Sequence, residues 1–265
     1  MSKHFVLLDL SYLIFHRYYA IIAWSRFSDS TIPDKEEFKI KFQKGFEAFL
    51  LKLKKVLNLQ DFSDVIMSRD TSRHQIWRNK IFPDYKKNRE TSKTINTDVF
   101  SLIHDEVIPY IQNKYNIKDM YVQCAEADDL IAVTTELIKT RWPEAKITII
   151  TNDNDFVQLV PKNPLLSIYN ASFVDIAGRF DKITMSVYTE WKVIKGDKSD
   201  NIPSIGPKIG DKTALKLALS PGALAKKKEN PEIDRQYNIN KQLIDFDQIP
   251  DDIRSNIINV VGKMI

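Results

Sequence analysis

The chain has 265 residues, of which 43% are hydrophobic and 28% are charged, and its formal net charge is +4. This composition is typical of a globular protein with a sizeable core. A single cysteine, Cys124, excludes an internal disulfide framework and a thiolate zinc cluster. No apolar run approaches the about 18 residues of a membrane span. We therefore expect an intracellular, cytoplasmic protein without a membrane segment, in which any metal is held mainly by oxygen.

Short strand-like runs alternate with longer segments of helical spacing. The strand-like runs lie at residues 5–8, 64–67, 120–123 and 146–150. Helical spacing extends over residues 38–57 and 99–115. This alternation predicts an α/β fold with a mostly parallel central sheet that helices cover on both faces. In such sheets, binding sites form at the carboxyl ends of the strands.

Acidic residues follow each of the four predicted strands. They are Asp9, Asp70, the group Glu126, Asp128 and Asp129 in AEADDL, and Asp153 and Asp155 in TNDNDF. A single aspartate at such a position usually caps a helix or a turn. Four successive strand ends that each carry an acid instead predict one acidic crevice.

Clustered carboxylates raise one another's pKa values unless cations neutralise them. Mg²⁺ and Mn²⁺ prefer oxygen ligands and are commonly shared between protein carboxylates and substrate phosphates. Two such ions about 4 Å apart can activate a water molecule and stabilise the leaving oxygen of a phosphodiester. The crevice therefore predicts a centre of two Mg²⁺ ions, with Mn²⁺ able to substitute.

Two further segments indicate a polyanionic partner. Basic residues gather at 73–89, and a basic surface around an acidic crevice can attract a nucleic acid. After Trp191, the sequence GDKSDNIPSIGPKIGDKTA contains Asp197 and Asp200, followed by Gly206 and Gly210. These glycines permit tight turns whose N–H groups can meet a phosphate at a helix N-terminus. This pattern predicts a helix-hairpin-helix type of grip on a nucleic-acid backbone.

The order of these motifs resembles that of the flap endonuclease, or 5′-nuclease, superfamily. The motifs are Asp9 in LLDLSYLIF, Asp70 followed by YKKNR at 85–89, EADD at 126–129, TNDND at 151–155 and GDKSDNIP at 196–203. The resemblance covers nearly the whole chain. It implies a PIN-like nuclease core at 1–190 with a helical arch at about 73–97, followed by a helical duplex-binding region at 191–265.

The resemblance also implies roles for individual residues. Around the first metal it places Asp9, Asp70, Glu126, Asp128, Asp153 and Asp155. At the second metal it places Asp197 and Asp200, with Asp129 as a nearby outer ligand. Lys86 and Arg89 would contact the scissile phosphate from the arch. The expected nucleic-acid contacts are Arg73, Arg78, Tyr85 stacked on a base, Gly206, Lys208, Gly210 and Lys212.

The implied activity is that of a metal-dependent, structure-specific 5′ nuclease with 5′-to-3′ exonuclease, flap endonuclease and ribonuclease H activity. Such an enzyme removes RNA primers or 5′ flaps during DNA replication and repair. Its substrates would be DNA and RNA·DNA duplexes with 5′ ends or flaps, and K⁺ would bind at the hairpin. We expect a monomer, with a single-strand-binding protein and a sliding clamp as candidate partners.

Two rival functions would share part of this pattern. A phosphatase of the haloacid dehalogenase type needs a second aspartate two residues after Asp9, where this chain has Ser11. A noncatalytic, structure-specific DNA-binding protein would keep the basic segment and the hairpin while losing carboxylates. Every expected acid is present, which favours the enzyme, and the DNA-binding protein is kept as the alternative.

Overall fold

The computed structural model describes residues 3–27, 34–91 and 97–265, and these residues contain a five-stranded sheet. Its strands are β1 (His4–Asp9), β2 (Val65–Ser68), β3 (Lys118–Met120), β4 (Lys146–Ile150) and β5 (Leu166–Tyr169). The strand order is β3-β2-β1-β4-β5, and every neighbouring pair is parallel. The carboxyl ends of all five strands therefore lie at one edge, with β1 in the centre.

Helices follow the strands and continue to the C-terminal part of the chain. The first six are α1 (Leu10–Phe27), α2 (Lys35–Val56), α3 (Arg78–Ile81), α4 (Thr97–Leu102), α5 (Ile108–Tyr115) and α6 (Ala127–Arg141). The next six are α7 (Lys182–Ser186), α8 (Tyr188–Lys195), α9 (Asp211–Ala218), α10 (Pro221–Lys228), α11 (Pro231–Ile244) and α12 (Asp251–Gly262). A π-helical turn at Ile103–Val107 joins α4 to α5, so the helix predicted at 99–115 is present. None of the described helices has the length and apolarity needed to cross a bilayer.

Both faces of the sheet are covered, as the continuous apolar strands predict. Successive side chains of a strand point to opposite faces, so Phe5 and Leu7 pack with α6 and α12 while Val6 and Leu8 pack with α1 and α2. The polar ends of the strands are left at the uncovered edge. This arrangement presents the acids that follow β1, β2 and β4 to a common space.

The helices after residue 191 do not pack as one unit. Helices α8, α9 and α11 form a core of their own, which includes Val193, Ala214 and Leu243. In contrast, α12 packs on α6, and its residues Ile257 and Val261 belong to the same core as β1. The predicted division at residue 190 therefore does not coincide with a boundary between hydrophobic cores.

Two strands differ from the sequence-based prediction. The third strand is shorter and earlier than 120–123, because the chain leaves the sheet after Met120 and turns so that Ala125 N–H donates to the Val122 carbonyl at 3.2 Å. Strand β5 was not predicted. It lies at the sheet edge and alternates buried with half-buried side chains over only four residues, which makes its pattern short and weak.

The glycine that a tight turn requires is Gly196, which sequence reasoning did not single out. Its φ of 74° lies in the left-handed region, and a Cβ atom there would lie 2.3 Å from the carbonyl oxygen of Pro203. Gly210 has a φ of −103° and precedes the first residue of α9 as its N-cap. Among the described glycines, the left-handed conformation is found at Gly196, and the contact of Gly206 and Gly210 with a phosphate stays a prediction.

Candidate active site

A cleft of about 540 Å³ opens at the carboxyl ends of β1, β2 and β4. Asp9 ends β1, Asp70 follows β2, Asp128 lies in the first turn of α6, and Asp153 follows β4. The predicted site residues that line the cleft are Asp9, Asp70, Arg73, Lys86, Arg89, Glu126, Asp128 and Asp153. The parallel sheet thus brings together acids from four distant segments of the chain.

Asp9 and Asp70 are held in place by hydrogen-bond donors. The Asp9 carboxylate accepts hydrogen bonds from the Tyr12 N–H at 3.0 Å and from the Thr151 hydroxyl at 2.8 Å. Asp70 Oδ1 accepts one from the N–H of Ala127, the first residue of α6, at 2.7 Å. Burial, followed by the negative charge of Asp70, raises the pKa of Asp9 to about 7. Thr151 was not predicted as a separate site residue, although it lies in the TNDND motif.

Asp128 and Asp153 repel each other in the same cleft. Burial, followed by the charge of Asp153, raises the pKa of Asp128 well above its ordinary range. Burial also raises the pKa of Asp153, although the N–H of Asp155 donates to its carboxylate at 2.8 Å. Among the ion pairs of residues 3–27, 34–91 and 97–265, none involves Asp9, Asp70, Asp128 or Asp153. We call these four residues the unpaired acids.

The unpaired acids fit a divalent cation in their chemistry. Within the described residues, no three His, Cys, Asp or Glu side chains stand in an arrangement that could already hold a metal ion. All four side chains offer oxygen, the donor that Mg²⁺ and Mn²⁺ prefer. A bound dication would also offset the neighbouring negative charges that help to raise the pKa values of Asp9 and Asp128.

Without a divalent cation, Asp9 and Asp155 should make stability depend on pH. The folded-state pKa of Asp9, about 7, lies above its ordinary value of 3.8, so the folded protein keeps a proton that the unfolded chain has lost. The free energy of unfolding from Asp9 should therefore fall as the pH rises from about 4 to about 7, and the loss should be complete above that range. Asp155, with a pKa raised to about 6 by burial and then by Asp153, acts in the same direction.

The measurement is the difference between the melting temperatures with Mg²⁺ and with EDTA, from about pH 5 to about pH 8. Burial lowers the pKa values of His4 and His104 and stabilises the protein as the pH rises, but this contribution is common to both conditions and cancels in the difference. At about pH 8, we expect Mg²⁺ at about 100 times its Kd to raise the melting temperature by roughly 5–10 °C. A difference that shrinks with rising pH would contradict this prediction.

Glu126 lies beside the unpaired acids but already has cationic partners. Its carboxylate accepts hydrogen bonds from Lys86 Nζ at 2.5 Å, Arg78 Nη1 at 2.8 Å and the Tyr85 hydroxyl at 3.0 Å. Burial alone would raise the pKa of Glu126, but the charges of Lys86 and Arg78 lower it to about 2. Glu126 therefore lines the cleft as one half of an ion pair.

Arg78 and Asp129 are internal residues, which corrects two of the predicted roles. Arg78 is 3% exposed and Asp129 is 0% exposed. Two guanidinium nitrogens of Arg78 donate to Asp129 at 2.8 and 3.0 Å, and the Trp77 indole donates to the same carboxylate at 2.9 Å. Because its carboxylate is occupied and faces the interior, Asp129 does not act as an outer metal ligand in this structure. Arg78 likewise cannot contact a phosphate.

The position of Tyr85 also differs from the prediction. Its ring is buried among residues of the C-terminal core, such as Ile194 and Ile202. Its hydroxyl donates to Glu126 and lies 3.3 Å from a carboxylate oxygen of Asp200. A ring enclosed in this way cannot stack on a base. Because its hydroxyl contacts Glu126 while its ring packs on the C-terminal helices, Tyr85 connects the cleft to those helices.

The segment that carries Lys86 and Arg89 is attached to the GDKSDNIP segment. The Lys86 N–H donates to the Asp200 carbonyl at 2.9 Å, and Arg89 Nε donates to the Ser199 carbonyl at 3.2 Å. The Arg89 guanidinium also donates to the Asp200 carboxylate. The predicted arch at 73–97 includes residues 92–96, which lie outside the described residues. Its described part forms α3 and two 3₁₀ turns, Arg73–Gln75 and Lys87–Thr91.

Asp155 and Asp197 share one lysine that the sequence analysis did not single out. Lys192 Nζ lies 2.7 Å from Asp155 Oδ1 and 2.5 Å from Asp197 Oδ2. Burial alone would raise the pKa of Asp197, but Lys192 lowers it to about 2. Lys192 follows Trp191 in a helix that also contains Lys195, and the sequence contains no signal that separates the two lysines.

The predicted hairpin lies between α8 and α9. Lys208, Gly210 and Lys212 are exposed, Gly206 is half-buried, and none of the four lines the cleft. Lys208 has a left-handed backbone with a φ of 59°. An exposed loop that leads into a helix N-terminus is compatible with the predicted contact to a nucleic-acid backbone, which stays a prediction.

Comparison with known proteins identifies the family. The model of the 5′-3′ exonuclease N-terminal resolvase-like domain matches residues 4–195. Ribonuclease H of Enterobacteria phage T4 is 29% identical over 252 residues, which cover 86% of this chain and 79% of that protein. DNA polymerase I of Lactococcus lactis subsp. cremoris is 32% identical over 178 residues, which cover 63% of this chain and only 19% of the polymerase.

A solved structure has the same fold. The bacteriophage T5 flap endonuclease in a complex with DNA and metal ions aligns over 99% of both chains, with a TM-score of 0.64 and 17% sequence identity. This likeness confirms the predicted fold class, a parallel sheet flanked by helices with a C-terminal helical region. The family model extends over most of the chain. The chain therefore belongs to the 5′-3′ exonuclease family of nucleases, which hydrolyse phosphodiester bonds.

Proposed function

We propose that the chain is a metal-dependent, structure-specific 5′ nuclease that cleaves 5′ flaps and 5′ ends of DNA and RNA·DNA duplexes. One observation carries this proposal. Four unpaired acids and three basic side chains, Arg73, Lys86 and Arg89, line the same cleft at the carboxyl edge of a parallel sheet. A cleft of this composition can accept a dication and the phosphate that it neutralises.

The unpaired acids Asp9, Asp70, Asp128 and Asp153 would hold Mg²⁺. A bound ion supplies Lewis acidity and lowers the pKa of water, which is the chemistry that phosphodiester hydrolysis needs. Asp9 and Asp70 are oriented for this task by the donors from Tyr12, Thr151 and Ala127, which fix their oxygen atoms before any ion binds. No side chain of the cleft is required as a covalent nucleophile.

Lys86 and Arg89 would bind the non-bridging oxygens of the scissile phosphate. In this structure Lys86 Nζ lies 2.5 Å from Glu126 and 3.7 Å from Asp200, and Arg89 is paired with Asp200. Both cations are therefore held at the cleft by carboxylates before substrate binds. A phosphate that enters the cleft would replace those carboxylates as a partner, so the cations would stabilise charge on the phosphate oxygens.

The loop between α8 and α9 would hold the duplex at a distance from the cleft. The exposed Lys208 of this loop and Lys212 in the first turn of α9 can contact phosphates, and the N-terminus of α9 presents free N–H groups. We also propose K⁺ as the ion of this loop. These assignments rest on the resemblance of the motif, and the T5 flap endonuclease complex with DNA shows that a protein of this fold binds DNA. The proposed role in primer removal, and a single-strand-binding protein and a sliding clamp as partners, rest on the same resemblance.

Digestion of three substrates tests the proposal. A 5′-labelled flap, a nicked duplex and an RNA-primed duplex are incubated with the protein in Mg²⁺ and in EDTA. We expect short labelled products in Mg²⁺, none in EDTA, and recovery when excess Mg²⁺ is returned, because without Mg²⁺ the unpaired acids hold no ion that could activate water. Cleavage that persists in EDTA would overturn the proposal. Binding without cleavage in Mg²⁺ would instead support the noncatalytic alternative.

A further inference from the structure

The structure divides the acids predicted around the two metals into two groups. The unpaired acids, Asp9, Asp70, Asp128 and Asp153, lie outside the ion pairs of the described residues. Both acids predicted for the second metal have a basic partner, and so do Glu126 and Asp155, which were predicted around the first metal. Asp155 and Asp197 are paired with Lys192, and Asp200 is paired with Arg89. The protein therefore already supplies a positive charge at Asp155 and Asp197, whereas it supplies none in an ion pair at the unpaired acids.

Lys192 is positioned for this pairing by the helix that carries it. It lies in α8, next to Val193 and Ile194 of the C-terminal core, and the residue is 8% exposed. Asp197 is fixed opposite it, since its Oδ1 accepts hydrogen bonds from the N–H and the hydroxyl of Ser199 at 2.7 and 2.6 Å. Its other oxygen, Oδ2, is the one that contacts Lys192 Nζ. The ammonium thus lies between two carboxylates that come from different segments of the chain.

Charge balance at this position favours a dication over an ammonium. Two carboxylates with one ammonium carry a net charge of about −1, whereas the same carboxylates with a dication are neutral. An ammonium and a dication cannot share the pair, because like charges at that separation repel strongly in a poorly hydrated site. A second ion must therefore displace Lys192 before it can bind.

We propose that Lys192 acts as a resident substitute for the second metal ion, which binds to Asp155 and Asp197 only after the ammonium has left them. This inference rests on the proposed function, since it presumes a dication at the unpaired acids. The free protein then binds one ion tightly and a second ion weakly. Lys192 is in this sense a positioning residue that sets the metal content of the enzyme.

A Mn²⁺ titration without nucleic acid tests the inference. Calorimetry or electron paramagnetic resonance counts the bound ions in the wild-type protein, in Lys192→Met and in the matched control Lys195→Met. Lys195 lies in the same helix but pairs with Asp211, outside the acids of the site, at 2.6 Å. We expect Lys192→Met to bind a second ion at least about tenfold more tightly than the wild type, because the competing charge is gone. The control should match the wild type.

A second measurement uses only the wild-type protein, in case Lys192→Met does not fold. Acetylation of lysines is followed by mass spectrometry with and without saturating Mn²⁺. Lys192 is buried and paired in the absence of metal. Saturating Mn²⁺ should displace it and increase its acetylation rate, whereas the acetylation rate of Lys195 should not change. A rate at Lys192 that is unaffected by Mn²⁺ would overturn the inference.

The outcomes separate this inference from the proposed function. If the wild type binds one Mn²⁺ ion and cleaves in Mg²⁺, but Lys192→Met gains no affinity for a second ion, the lysine inference fails and the proposed function stands. If the wild type binds no Mn²⁺ and cleaves equally in EDTA, both fail. A second ion that binds Lys192→Met more weakly than the wild type would show that Lys192 supports the ion instead of competing with it, which also overturns the inference.

Discussion

Replacing Arg78 with methionine is expected to lower the free energy of unfolding by about 3–5 kcal/mol. Arg78 contacts both Glu126 and Asp129 in the interior, and removal of its charge would leave the Asp129 carboxylate without a cationic partner at 0% exposure. A loss of this size is a large part of the roughly 5–15 kcal/mol that stabilises a typical domain. Chemical denaturation in EDTA near neutral pH measures it.

A matched control exists on the surface. Arg69 pairs with Asp119 at 2.6 Å, but its side chain is 41% exposed, so Arg69→Met should cost less than about 1 kcal/mol. Adding Asp129→Asn to Arg78→Met should restore part of the lost stability, because the buried charge is removed with its partner. If Arg78→Met unfolds at the same denaturant concentration as the Arg69 control, Arg78 is not the internal counter-ion that the structure indicates.

Replacing Asp128 with asparagine should reduce cleavage by roughly 10²–10³-fold and yet stabilise the metal-free protein. The loss of rate follows from removing one proposed ligand of an ion that contributes several kcal/mol to the transition state. The gain in stability follows because burial and the charge of Asp153 make the Asp128 carboxylate unfavourable in the folded state, as its raised pKa shows. Binding of a flap substrate should be retained, since the loop between α8 and α9 is unchanged.

Three measurements on the same sample check this combination: the cleavage rate in Mg²⁺, the substrate affinity in Ca²⁺ and the melting temperature in EDTA. Asp252→Asn is a suitable control, because Asp252 is an exposed acid in the first turn of α12, outside the cleft. It should leave the rate unchanged. A variant at Asp128 that keeps the wild-type rate, or that melts at a lower temperature in EDTA, would contradict the proposed role.

The parts of the fold that could be predicted depend on local patterns. Three of the four predicted strands were correct to within a residue or two, because strands buried on both faces are continuous apolar runs. The convergence of Asp9, Asp70, Asp128 and Asp153 followed from the geometry of parallel sheets alone. In contrast, β5 is a short edge strand with a weak pattern, and the conformation of Gly196 depends on Pro203, which approaches it only in the folded chain.

The residues that sequence reasoning misplaced are those whose partners are distant in the chain. Arg78 and Tyr85 stand in a basic segment that resembles a nucleic-acid surface, and nothing local shows that Glu126 and Asp129 neutralise Arg78 in the interior. Lys192 was missed for the same reason. Its position in the sequence is that of an ordinary helical lysine, and its partners Asp155 and Asp197 meet it only in the folded chain. Burial of a charged side chain is a property of the assembled tertiary structure.

The packing of α12 on α6 has a consequence for biosynthesis. The apolar side chains Ile257 and Val261 complete a core that otherwise consists of segments made much earlier, including β1 and α6. Since α6 ends at Arg141 and α12 begins at Asp251, a ribosome that adds about 5–20 residues per second leaves the intervening face uncovered for roughly 5–20 s. During that interval the nascent polypeptide presents the surface that a chaperone would recognise, and the nuclease acquires its native state only after translation has passed residue 261.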